Sequence, residues 1–159
     1  MLAFAAASGR IGSVSLQGDK LLDWQISKKA SKNGFEAASY ARSLFKRLSP
    51  DLIITEDPIA ATHKGEKTRL LLIAIAEEAE RVGLEVVTVP RQQQYANKYA
   101  EAEALTSDYP ELAPWKPDKR RFFDNEPRNT VIFEALSLAL AARKASPAAS
   151  PLGSMTTRT

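Results

Sequence analysis

The N-terminal part of the chain contains three short stretches rich in apolar residues, separated by polar turns. They run from Leu2 to Ala7, from Ile11 to Gln17 and from Leu21 to Ser27, with Gly9 and Gly18 between them. Short runs of strand-forming residues bounded by turn residues predict β-strands. We therefore expect the chain to begin with an antiparallel meander of three strands.

The spacing of apolar residues changes after this meander. Between Gly34 and Leu48 the apolar residues recur at helical spacing, and Ser49-Pro50 ends the predicted helix. Residues 51–56 then form a continuous apolar run, which is typical of a buried parallel strand. A second helix is predicted from Glu66 to Val82, with Gly83 at its end.

A fifth strand is predicted over residues 84–89, where Pro90 ends it. Helices between the later strands supply the crossovers that parallel strands require. The sequence thus predicts an α/β fold with a mixed five-stranded sheet, in which three antiparallel N-terminal strands precede parallel strands and helices flank the sheet.

The C-terminal part is predicted to contain two more helices, at residues 92–105 and 127–144, with a proline-rich irregular loop between them. Pro127 suits the first turn of the last helix. Small and polar residues dominate the remainder, which predicts a disordered tail. We expect one domain over residues 1–144 and a tail over residues 145–159.

Composition limits the chemistry that the chain supports. The 159 residues are 44% hydrophobic and include no cysteine, which fits one core and excludes disulfides, thiolate metal sites and a cysteine nucleophile. The apolar N-terminus is too short for a signal peptide or a membrane-spanning helix. We expect a soluble, cytoplasmic protein without a membrane partner.

Two glutamates occupy positions where carboxylates are unusual. Glu56 ends the buried fourth strand, which is where open α/β sheets place ligands, and Glu134 lies in an apolar stretch of the last helix. The structural alternatives are a strand-end glutamate that turns to solvent or pairs with a lysine, for Glu56, and a helix-start carboxylate, for Glu134. If the two carboxylates converge, they provide oxygen ligands of the kind that Mg²⁺ or Mn²⁺ prefers.

The order of elements and three segments resemble the RuvC-like branch of the RNase H-like superfamily, which includes Holliday-junction resolvases. The resemblance spans about residues 1–143. Its segments are the opening strand to Ser8 with Gly12 after it, the strand end Ile54-Thr55-Glu56-Asp57-Pro58, and residues 125–140 around Glu134. Such enzymes cut nucleic-acid backbones with two metal ions held by clustered acidic residues.

The resemblance assigns catalytic, metal-ligating roles to Glu56 and Glu134. Two other acidic positions of the family fall on Ala5, in the first strand, and Val131, one helical turn before Glu134. Neither residue binds metal, so the resemblance implies weakened metal binding. An alternative ligand is offered by three nearby acids: Asp57, Asp124 and Glu126. Capping roles suit two of them, Asp57 and Glu126.

Basic residues form two groups, one after Glu56 and one before the last helix. The resemblance places the nucleic-acid backbone near both groups. With a net charge of only +3, clustering matters more than total charge, and solvated loops are the alternative. Interleaved aromatic residues such as Trp115 could stack on bases or pack on the core. The predicted nucleic-acid-binding residues are Lys64, Lys67, Arg69, Lys116, Lys119, Arg120 and Arg121.

Three functional hypotheses follow. The first is a RuvC-like protein that binds branched or duplex DNA, with lost or much reduced nuclease activity. The second is an active endonuclease of the junction-resolvase type, which uses Mg²⁺ or Mn²⁺ at Glu56 and Glu134; the first hypothesis requires no cofactor. The third is an RNase H-fold protein-interaction module. The resemblance also implies a homodimer that forms through the helices.

Overall fold

The computed structural model describes residues 1–92, 94–117 and 129–145, and these ranges contain five strands and four α-helices. The strands are β1 (Leu2–Ala7), β2 (Arg10–Gln17), β3 (Lys20–Ser27), β4 (Leu52–Glu56) and β5 (Glu85–Val89). The helices are α1 (Gly34–Leu48), α2 (Glu66–Arg81), α3 (Lys98–Asp108) and α4 (Thr130–Ala145). The predicted strands are confirmed to within one residue at each end.

The strands form one mixed sheet in the order β3-β2-β1-β4-β5. β1 pairs antiparallel with β2, and β2 with β3, whereas β1–β4 and β4–β5 are parallel pairs. The predicted mixed α/β fold is confirmed. Because β1, β4 and β5 are parallel, their carboxyl ends meet at one edge of the sheet.

Side chains of β1 alternate between two buried layers. Leu2 and Phe4 belong to an apolar cluster that includes residues of α1 and α2. Ala3 and Ala5 belong to a second cluster that includes residues of α3 and α4. The sheet is therefore covered on both faces, as expected for a sheet with parallel strands.

Gly12 allows α4 to lie unusually close to β2. A Cβ atom at this position would meet the Val131 Cγ1 atom at 2.8 Å and Val131 backbone atoms at 2.9 Å. Gly12 is also the antiparallel partner of Ala5. Because glycine has no side chain, the first turn of α4 lies against the middle of the sheet. This turn precedes Glu134 by one helical turn.

The predicted third helix is placed wrongly. It runs over Lys98–Asp108 rather than residues 92–105. The Asn97 side chain accepts hydrogen bonds from the backbone N–H groups of Tyr99 and Ala100, so the helix begins after this cap. Beyond α3, where an irregular loop was predicted, Pro110–Trp115 forms a 3₁₀ helix.

Pro127 and the predicted tail after Ala145 lie outside the described ranges. None of the helices in these ranges is long and apolar enough to cross a membrane.

Candidate functional site

Glu56 ends β4 with its side chain on the face covered by α4. Side chains alternate along a strand, so Glu56 shares this face with Ile54, which packs in the α4 cluster. Glu56 is only 1% exposed. The prediction that a buried strand ends in a carboxylate is confirmed. The alternative of a glutamate that turns to solvent is wrong, whereas the alternative of a glutamate that pairs with a lysine is confirmed.

Lys64 lies between Glu56 and Glu134. Its ammonium Nζ donates a hydrogen bond to Glu134 Oε2 at 2.6 Å and lies 3.3 Å from Glu56 Oε1. It also donates to the backbone carbonyl of Ala6 at 2.5 Å. The two predicted carboxylates thus converge, but on a lysine side chain that is 10% exposed.

The buried carboxylate of Glu56 is incompletely satisfied. Its Oε1 atom has no hydrogen-bond partner, so the 3.3 Å contact with Lys64 is an ion pair without hydrogen-bond geometry. Burial raises the pKa of Glu56; Lys64 opposes this effect, and Glu134 adds to it. The exposed His63 approaches the other oxygen, with its Nε2 atom 3.6 Å from Glu56 Oε2.

A second ion pair continues the network along α4. Arg91, which follows β5, donates hydrogen bonds to both carboxylate oxygens of Glu101 at 2.9 and 2.6 Å. It also donates to Ser137 Oγ at 3.2 Å, and its Nε atom lies 3.9 Å from Glu134 Oε2. Arg91 therefore connects α3 with the Glu134 side of the site.

Sequence reasoning missed Arg91 and Glu101. Arg91 comes just after the carboxyl end of β5, next to β4, so the strand-end argument that selected Glu56 could also have selected Arg91. Glu101 is 2% exposed, but nothing in its sequence surroundings distinguishes it from an exposed helical glutamate.

Ala5 and Val131 lie where the resemblance expects two further acids. Ala5 is fully buried on the α4 face of β1, and Val131 packs against Gly12. Among the described residues, no group of three or more histidine or acidic side chains could hold a metal ion.

Comparison with known proteins connects this fold to resolvases. No protein-family model matches the chain, and no curated protein matches it in sequence. Thermus thermophilus RuvC is similar in structure, with a TM-score of 0.60 and 15% identity over 91% of this chain and 97% of that chain. The chain has a RuvC-like resolvase fold.

Two complexes support the same assignment of fold. The structure of T. thermophilus RuvC with a Holliday junction substrate matches with a TM-score of 0.57 and 15% identity, over 92% of this chain and 97% of that one. The fowlpox virus resolvase with its substrate Holliday junction DNA matches with a TM-score of 0.58 and 15% identity, over 91% and 99%. This RuvC-like fold belongs to the RNase H-like α/β class.

The described residues do not fit the metal site that the RuvC-like resemblance implies. A divalent cation requires several oxygen ligands, and here two carboxylates converge on an ammonium group. The positions of Ala5 and Val131 contribute no side-chain oxygen. Asp57 does not complete a metal-binding group with the two glutamates, since no such group occurs among the described residues. Its carboxylate accepts a hydrogen bond from the Ile59 N–H at 3.0 Å, which is the predicted turn-capping role. Asp124 and Glu126 fall in a part of the chain that is not described.

The basic residues predicted to bind nucleic acid have different environments in this RuvC-like domain. The Lys64 ammonium is engaged by carboxylates, whereas Lys67 is exposed in the first turn of α2 and Arg69 is partly exposed. Lys116 makes an exposed ion pair with Glu103 at 3.0 Å. The structure does not describe Lys119, Arg120 or Arg121.

Trp115 contacts another aromatic side chain at the edge of the α4 cluster, and its stacking on bases stays a prediction. Its ring packs edge to face against Trp24, with centroids 5.3 Å apart. About a third of the residue remains exposed.

Proposed function

We propose that this chain is a RuvC-like protein that binds nucleic acid, branched or duplex DNA in particular, and that its nuclease activity is lost or much reduced. The observation that carries the proposal is the combination of a resolvase fold with a lysine between the two carboxylates of the family site. Two of the structural neighbours were solved with Holliday junctions, which supports DNA as the ligand.

A cleft that contains two lysines, on the α2 face of the sheet, supports phosphate binding. The cleft has a volume of about 390 Å³ and lies at the carboxyl end of β1, lined by Ser8, Lys32, Lys67 and Thr68 among others. Gly65, the N-cap residue of α2, also lines the cleft and offers no side-chain cap to the first N–H groups of the helix. Lysines, hydroxyl groups and exposed backbone N–H groups are the donors that phosphate oxygens accept.

Fluorescence anisotropy of a labelled four-way junction, in EDTA and at several salt concentrations, tests the binding proposal. We expect binding at low salt that weakens as salt rises, because phosphate contacts release counterions. The double substitution Lys32→Met with Lys67→Met should weaken binding and reduce the slope of log K against log salt by about 2.

Lys20→Met provides the matched control, since Lys20 is exposed at the start of β3, at the end of the sheet away from the cleft. This variant should bind as the unsubstituted protein does. Absence of binding to junction, duplex and single-stranded nucleic acid at low salt would contradict the proposal and favour the interaction module. Homodimerisation remains a prediction of the resemblance.

A further inference from the structure

Lys64 has the surroundings of a bound cation. Three elements supply oxygen atoms to its ammonium group: Ala6 from β1, Glu56 from β4 and Glu134 from α4. An ammonium group has three N–H donors and no acceptor, and it is nine-tenths buried here. The position between the carboxylates is therefore filled by a charge that belongs to the chain.

A second observation concerns the Glu56 oxygen that faces Lys64. Glu56 Oε1 is buried without a hydrogen bond and faces Lys64 at 3.3 Å. Without Lys64, the nearest basic groups would be the exposed His63, 3.6 Å from Glu56, and Arg91, 3.9 Å from Glu134. Breaking such a buried ion pair leaves an uncompensated charge, which is strongly destabilising.

We propose that Lys64 is an internal counter-ion that replaces a divalent cation between Glu56 and Glu134 and excludes Mg²⁺ and Mn²⁺ from this position. A metal ion would compete with the ammonium for the same carboxylate oxygens and would be repelled by its charge. Removal of the ammonium leaves two carboxylates and the Ala6 carbonyl, to which water adds the remaining ligands of a hard cation. This inference does not depend on whether the chain binds nucleic acid.

Lys64→Met tests the inference directly, because methionine retains much of the side-chain length and removes the charge. Binding of Mn²⁺ is measured by the loss of the free-ion electron paramagnetic resonance signal, and stability by the melting temperature in EDTA and in Mn²⁺. We expect Lys64→Met to bind one Mn²⁺ with a Kd on the order of 0.1–1 mM. The unsubstituted protein should bind at least tenfold more weakly.

The melting temperature should change in parallel. In EDTA, Lys64→Met should melt lower by on the order of 10 °C, and Mn²⁺ should reverse much of this loss. Lys20→Met, which removes an exposed lysine at the start of β3, should match the unsubstituted protein in both measurements.

A double variant keeps the test decisive if Lys64→Met fails to fold. Lys64→Met with Glu56→Gln removes the more buried carboxylate together with the ammonium and leaves Glu134 beside Arg91, so it should fold in EDTA and should not respond to Mn²⁺. The inference is overturned if this variant also fails to fold, if Lys64→Met folds and binds no Mn²⁺, or if the unsubstituted protein binds Mn²⁺ as tightly as Lys64→Met.

Discussion

The close approach of α4 to the sheet depends on a single residue without a side chain. Gly12→Ala would place a methyl group 2.8 Å from Val131 Cγ1 and 2.9 Å from Val131 backbone, so α4 must shift. We expect the free energy of unfolding to fall by about 1–3 kcal/mol, the usual cost of overpacking. Urea denaturation measures this change.

Gly34→Ala is the control for Gly12→Ala. A Cβ atom at Gly34 would meet only Ala74 Cβ at 3.5 Å, an ordinary contact, and alanine favours a helix. This variant should be as stable as the unsubstituted protein or more so. Equal stability of the two variants would show that Gly12 is not needed for helix packing.

At the scale of single residues, the sequence predicted the two carboxylates better than their partners. Glu56 stood out because strand ends are places for ligands, and Glu134 because its surroundings are apolar. Lys64 was grouped with Lys67 and Arg69 as a phosphate contact, since charge along the sequence does not distinguish a buried lysine from an exposed one. The contact of Lys64 with Glu134 joins residues 70 positions apart, and no local pattern specifies it.

Helices α1 and α2 are joined by a buried carboxylate. Glu78 on α2 accepts hydrogen bonds from Arg42 Nε on α1 at 2.9 Å and from Arg81 at 3.1 and 2.5 Å. These hydrogen bonds, first those of Arg81 and then that of Arg42, lower the pKa of Glu78 from 4.5 to about 2. The folded state therefore favours the ionised form more than the unfolded chain does.

This difference in pKa predicts a dependence of stability on pH. The contribution of Glu78 is complete above the unfolded pKa of 4.5 and is lost as the pH falls toward about 2. At pH 7, Glu78→Gln should lower the free energy of unfolding by about 1–3 kcal/mol, and the difference should shrink at pH ~2.5. Urea denaturation at both pH values measures it.

Glu77→Gln serves as the control for Glu78→Gln, because Glu77 lies on the same helix and is exposed. Its effect should be small at both pH values. A difference between Glu78→Gln and the unsubstituted protein that stays the same at both pH values would contradict the account.

At the scale of elements, the sequence predicted well which helices and strands occur, but it predicted some of their boundaries poorly. The five strands and α1 follow from apolar spacing together with Gly and Pro positions, which act locally. The start of α3 does not, because the deciding interaction is the hydrogen bonding of the Asn97 side chain to two N–H groups. The amphipathic pattern around α3 is weak, so apolar spacing could not correct the error.

At the scale of the whole molecule, the fold brings the carboxyl ends of β1, β4 and β5 together and places α4 across them. Glu56, Lys64, Arg91 and Glu134 meet at this edge, although they come from separate parts of the chain. The RuvC-like fold thus surrounds a site whose positive charges come from lysine and arginine. The order of elements predicted this fold. Only the packing of α4 shows that the ammonium group of Lys64 lies between the two carboxylates.

A denaturing gel of a labelled four-way junction in Mn²⁺ shows whether the bound protein cuts DNA strands. The protein concentration is one at which the anisotropy signal shows that the junction is fully bound. We predict bound junctions whose strands stay intact, because Lys64 fills the cation position between Glu56 and Glu134. Cleavage that requires Mn²⁺ and disappears in Glu56→Gln would contradict this account.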